Sequence, residues 1–292
     1  PLTQSARLWP RIARGGVVAF MPRTPAPLLC SLLLVLAACS DRSGPAGGVA
    51  TVADTTPRAP VGDPVEGLRV ATRMGCNGCH GEGGRGDVFM EGKEFGRIVA
   101  PNLTQRRALY DQAGLQALLR EGKTHDGHVP WGMPIKMFQH LSDREVRDID
   151  AWIRATPAVD NPELPAGQWS DSLIKATADG THPWLPDMQP DPGNTPPAEP
   201  PAESLALGKH LAMTTCTECH GWDLNGWPDD PSPSLVVAKA YTPEQFTRLM
   251  RTGEIAAGGK SKTGLMSGVA AYRFKVMTDA EIVALKQYLD SR

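Results

Sequence analysis

Cys76-x-x-Cys79-His80 and Cys216-x-x-Cys219-His220 each place two thiols three positions apart with an imidazole directly after, and the second copy starts 140 residues beyond the first. That spacing is the attachment signature of c-type haem: both sulfurs add to porphyrin vinyl groups, and the adjacent histidine binds iron from one face. The short spacing keeps all three side chains on one helical turn and its approach, as the edge of a planar cofactor requires. A single match also fits a redox Cys-x-x-Cys pair or chance. Duplication weighs against both.

The surrounding residues repeat in the same order. Upstream, Glu66-Gly67-Leu68-Arg69-Val70-Ala71 corresponds to Leu207-Gly208-Lys209-His210-Leu211-Ala212, a helical stretch feeding each motif. Downstream, Pro101-Asn102-Leu103 answers Pro233-Ser234-Leu235, and Leu118 to Gly122 answers Leu249 to Gly253. Each copy closes on a helix opened by a capping box, Ser142-x-x-Glu145 or Thr278-x-x-Glu281. Val146, Ile149, Trp152 and Ile153 match Ile282, Leu285, Tyr288 and Leu289, an apolar face at spacings of three and four. Trp152 and Tyr288 therefore read as core packing rather than electron-path aromatics, with Gly67 and Gly208 permitting close approach of the first helix. His210, on that first helix, is expected to be exposed.

The haem motif, the Pro-x-Leu, a methionine loop and the LSDxE or MTDxE terminal helix together resemble the class I cytochrome c domain, and the chain resembles a diheme member of that family. The resemblance implies a mainly α fold of two tandem domains, residues 62–158 and 203–292, joined by a Pro-rich linker at 159–202, and two covalently bound haem c groups. It also implies iron held by His80 or His220 on one side and by a methionine sulfur on the other. In HVPWGMPIKMF, Met133 followed by Pro134 fits better than Met137, which aligns with Arg273 and reads as surface or packing. His125 and His128 are alternative nitrogen ligands but read as solvated loop residues. In KTGLMSGVAAYRF, Met266 takes the matching place; it lacks the following proline. Met277 and Met250 read as core. The carbonyls of Pro101 and Pro233 would accept the other ring N–H of each histidine. Arg120 and Arg251 would pair with haem propionates or sit at solvent-exposed helix ends. Domains this small bury little by themselves, so a covalent haem supplies much of each core and its loss should unfold the unit.

The composition is 41% hydrophobic with 27 prolines, 30 glycines and only 6% aromatic residues, so helix and loop are expected to predominate, with few strand signals. A formal charge of -2 without Lys/Arg clusters excludes nucleic acid as a partner class. From Met21 a basic start and an apolar run, Leu28 to Ala38, read as an export signal within a removed segment 1–38, the residues before Met21 being a start-site extension. That run is too short to span a bilayer, for which about 20 residues are needed. Leu36-Ala37-Ala38-Cys39 resembles a bacterial lipobox, which makes Cys39 a lipidation site and 39–61 a tether; ordinary secretory cleavage is the alternative. Loss of 1–38 removes four arginines and no acid, taking the charge from -2 to -6. With Cys30 in the signal and Cys39 at the lipid, the four motif cysteines remain, and none is left over for a disulfide.

Between Pro157 and Pro201 there are eleven prolines in 45 residues, a composition of extended, semi-rigid chain rather than packed core. His182 and Met188 read as loop residues there, while Trp169 and Trp184 imply that part of the segment packs across the domains. The expected function is a lipid-anchored electron carrier on the periplasmic side of a bacterial membrane. Its partners would be redox proteins: a dehydrogenase or quinol-oxidising complex as donor, and an oxidase or other acceptor. The competing readings are a cytochrome subunit of a membrane dehydrogenase or respiratory complex, which the MPIKMF pattern also resembles, and a diheme peroxidase, which would require an iron without its methionine.

Overall fold

A computed structural model describes residues 61–228 and 231–292. The segment 1–38, Cys39 and all of the expected tether but Val61 lie outside the described residues.

In the first unit, helix α1 (Pro64–Met74) begins at an Asp63 cap, whose carboxylate accepts from Val65 N at 2.8 Å, and stops at Gly75 in the left-handed region, φ 87°. The turn delivers the chain into α2 (Cys76–His80). There follow β1 (Asp87–Gly92), β2 (Gly96–Ala100), α3 (Leu103–Arg106), α4 (Gln112–Glu121), α5 (Ile135–Phe138) and α6 (Asp143–Ala155). The second unit repeats the helices as α8 (Ser204–Thr215), α9 (Thr217–His220), α10 (Pro243–Thr252), α11 (Leu265–Arg273) and α12 (Asp279–Ser291). Both terminal helices carry complete capping boxes, and α4 and α10 both end on left-handed glycines, Gly122 and Gly253.

First and last helices cross closely in each unit because glycine stands at the crossing. A methyl group on Gly67 would lie 1.8 Å from the Asp148 carbonyl oxygen, and one on Gly208 2.1 Å from that of Ala284. Trp152 is buried against the first core, with Val70, Leu141 and Ile149, and Tyr288 packs on the second. Met137, Met250 and Met277 are buried core residues.

Two features depart from expectation. Residues 87–100 form an antiparallel hairpin with a bulge between Val88 and Met90, where helix and loop were expected. The Pro-rich segment is not extended: it adds β3 (Gln168–Trp169) to the hairpin, forms α7 (Asp171–Ala178) and a 3₁₀ turn (Leu185–Met188), and buries Leu173, Trp184, Leu185 and Met188 against Phe89, Phe95 and Trp131. Trp184 stacks on Phe95 at 5.1 Å, and His182, also buried, packs edge-on against Trp131. Aromatic and aliphatic side chains between the prolines supply the packing that proline content alone argues against. The segment ends by giving the Pro197 and Ala198 carbonyls to the Asp143 and Arg144 amides in the first turn of α6, each at 3.0 Å.

The two units meet through buried charge. Arg73, 1% exposed, bonds Glu145 at 2.7 Å and Glu281 at 3.1 Å. His210, expected to be exposed, is 7% exposed and bonds Glu145. Its helix packs against the other unit, which periodicity within one copy does not reveal.

Candidate functional site

The first site is a cavity of about 350 Å³ whose wall includes Cys76, Cys79, His80, Pro101 and Met133. α1 and its glycine stop present the two thiols and the imidazole on one short helix. His80 Nδ1–H donates to the Pro101 carbonyl at 2.9 Å. A carbonyl only accepts, so the proton sits on Nδ1, and Nε2 is left with its lone pair. Burial pushes the His80 pKa down, against a smaller upward pull from the Pro101 carbonyl, so the ring is held neutral as a metal ligand must be. Met133 sits in a tight loop, its N–H on the Pro130 carbonyl at 3.0 Å. Gly132 allows that loop to lie on Phe89: at φ 81°, a methyl group there would be 2.4 Å from the ring.

The second site repeats the arrangement. His220 Nδ1 lies 2.7 Å from the Pro233 carbonyl, and Met266, in the first turn of α11, packs with Cys216 against the second core. Met266 thus lies on a helix rather than in an open loop.

No two of the four motif cysteines are bonded to each other. Burial pushes the thiol of Cys76 up to about 11 and those of Cys79 and Cys216 up to about 12, with Glu218 adding to the effect at Cys79. A redox Cys-x-x-Cys works through a thiolate of lowered pKa. Burial moves the thiols of Cys76, Cys79 and Cys216 the other way, away from that chemistry.

His125 and His128 line the cavity's outer rim, exposed, paired with Tyr110 and Asp126 respectively. Arg120 and Arg251 are not in the wall of the first cavity, and both are engaged elsewhere. Arg120 donates to Asp143 and the Leu141 carbonyl, and Arg251 to Asp279 and the Lys275 carbonyl, tying α4 and α10 to the starts of the terminal helices. The basic side chains that do line the first cavity are Arg106, Arg107 and Arg154. Phe89, Ile98 and Trp131 belong to its apolar wall, with Leu115, Leu119 and Phe138 among others, and Glu218 lines it from the second unit. A hairpin reading of 87–100 would have found the first two; nothing in the sequence marks Glu218.

Residues 65–157 and 205–292 each match the family model for cytochrome c. The chain belongs to the cytochrome c family. No curated protein matched the chain. This cytochrome c is an electron-transfer haem protein, and the family's cofactor is covalently bound haem c. Among the described residues no group of three or more His, Cys, Asp or Glu is placed to hold a metal ion directly. The residues fit an iron brought by a porphyrin: thiols not joined in disulfides, an imidazole whose Nδ1–H is committed to a carbonyl, and a mainly apolar cavity lined by that imidazole and a thioether.

Proposed function

We propose that this cytochrome c is a diheme electron carrier, exported and held through a lipidated Cys39 on the periplasmic side of a bacterial membrane. Cys76 and Cys79 would carry the first haem, with His80 and Met133 as axial ligands. Cys216 and Cys219 would carry the second, with His220 and Met266. The observation that carries this reading is the recurrence of one constellation: a Cys-x-x-Cys-His helix, a proline carbonyl on histidine Nδ1, and a methionine on the same core.

When bound, haem c supplies a one-electron ferric/ferrous couple, whose potential a methionine ligand raises relative to a second nitrogen. The chain's part is to orient and to exclude. The Pro101 and Pro233 carbonyls fix each imidazole's tautomer and raise its basicity. Met133 and Met266, as iron ligands, would leave no position for peroxide or dioxygen, which favours electron transfer over peroxidase turnover. The donor would be a dehydrogenase or quinol-oxidising complex, the acceptor an oxidase or another redox protein.

The test is a redox titration of the purified holoprotein followed by visible spectroscopy. Two low-spin haems are expected, with Met133→Ala and Met266→Ala each abolishing the far-red methionine–iron band of one haem only. A high-spin haem in the wild type, with peroxide turnover, would overturn the carrier reading in favour of an enzyme.

A further inference from the structure

Glu218 is the second variable residue of the second haem motif, yet it lines the first cavity together with Cys76, Cys79 and His80. It is 10% exposed, and its Oε2 lies 3.0 Å from Nη1 of Arg273, whose side chain is 6% exposed. Arg273 spends its other donors on the Arg73 carbonyl at 3.0 Å and the Met74 carbonyl at 2.6 Å, the two residues just before the Gly75 turn into Cys76. One guanidinium therefore ties the first haem-binding turn to the second haem motif. The cavity wall includes the carboxylate residue and not the arginine.

The two residues break the internal symmetry of the chain together. The counterpart of Glu218 in the first motif is Gly78, where an added Cβ would meet nothing within 4 Å. The counterpart of Arg273 is Met137, fully buried in the first core. The second unit thus contributes a carboxylate residue to the wall of the first pocket.

We propose that Glu218, held in place by Arg273, is a positioning residue for electron transfer that lowers the reduction potential of the first haem. Reduction adds negative charge to the site, and a carboxylate in its wall opposes that in a medium of low dielectric. Arg273, whose guanidinium lies against Gly75, opposes this, but it stays in place when the carboxylate charge is removed, so losing that charge still raises the midpoint. The proposal rests on the diheme reading above.

The experiment is a spectroelectrochemical titration of the full-length holoprotein as wild type, Glu218→Gln and Glu218→Asp, the first haem being the one whose midpoint moves in Met133→Ala. Glu218→Gln keeps the shape and an acceptor for Arg273. It should favour reduction of the first haem about tenfold, which for a one-electron couple is about 59 mV upward. Glu218→Asp, which keeps the charge, should stay near the wild-type midpoint. An unmoved midpoint in Glu218→Gln overturns the proposal, and so do equal shifts in both variants, since these report packing rather than charge. Mass spectrometry separates the two readings: fewer than two haems on the wild-type chain defeats the diheme assignment, whereas two haems with an unmoved midpoint defeats only the role of Glu218.

Discussion

His210 Nε2 stands 2.8 Å from Glu145 Oε2 across the boundary between the units, and Arg69, the counterpart of His210 in the first unit, reaches Glu281, the counterpart of Glu145, at 2.6 Å. The exchange is reciprocal. Each glutamate closes the capping box of its own terminal helix and accepts a hydrogen bond from the other unit's first helix. Arg73 then joins both carboxylates.

The first prediction concerns acid stability. Burial works to raise the Glu145 pKa, but the His210 hydrogen bond and the Arg73 charge outweigh it and hold the carboxyl well below its ordinary 4.5. A carboxylate depressed in the folded state stabilises fully above its unfolded pKa and loses that contribution as pH falls toward the folded value. The melting temperature should therefore decline below about pH 4.5, and Glu145→Gln should flatten that decline. At neutral pH the same variant should cost near the lower end of about 3–5 kcal/mol, since Arg73 keeps Glu281 as a partner. An unchanged acid limb in the variant would sink this account.

Gly208→Ala should lower the urea midpoint by the equivalent of about 1–3 kcal/mol, because the new methyl would also stand 2.6 Å from Tyr288 Cβ in a crossing that has no slack. Gly92, where an added Cβ meets nothing within 4 Å, is the control and should tolerate alanine within about 0.5 kcal/mol.

Trp184→Ala should cost about 3–5 kcal/mol, the range for emptying a buried aromatic site. Limited proteolysis gives the complementary readout: residues 159–202 should resist cleavage in the wild type and become susceptible in the variant. Rapid cutting of the wild-type segment would mean that its aromatic cluster does not hold.

Replacing Cys76 and Cys79 together by serine should remove one haem from the chain, read as the loss of one haem mass, and should lower the melting temperature of both units. A second unit that melts unchanged would show that the Arg73 and Arg273 contacts contribute little across the boundary.

Local chemistry was legible from sequence wherever one copy could be read against the other. The motif helices, the capping boxes and the apolar faces of α6 and α12 all follow from residue type and spacing, and Gly67 and Gly208 follow from their place opposite Trp152 and Tyr288. What escaped is what depends on the other unit. His210 looks like a solvated helix residue until the glutamate that meets it, 65 positions earlier, is known. Glu218 looks like a spacer between two cysteines. The hairpin was missed because its inward residues, Phe89, Met90 and Ile98, interrupt strict alternation at the bulge. In the Pro-rich segment Trp169 and Trp184 point to packing, but the contribution of Leu173, Leu185 and Met188 against the hairpin carries no periodic signal among the prolines.

That segment has a practical consequence for anyone dividing the chain. Its carbonyls at Pro197 and Ala198 occupy the amides that open α6, and its tryptophans roof the hairpin beside the first cavity. A cut between the two haem motifs therefore has no neutral place to fall: made early, it strips the roof from the first half, and made late, it leaves the second half without the glutamate that holds His210. Neither half can be exchanged for a free-standing domain without carrying the Arg73, Glu145 and Arg273 contacts along with it.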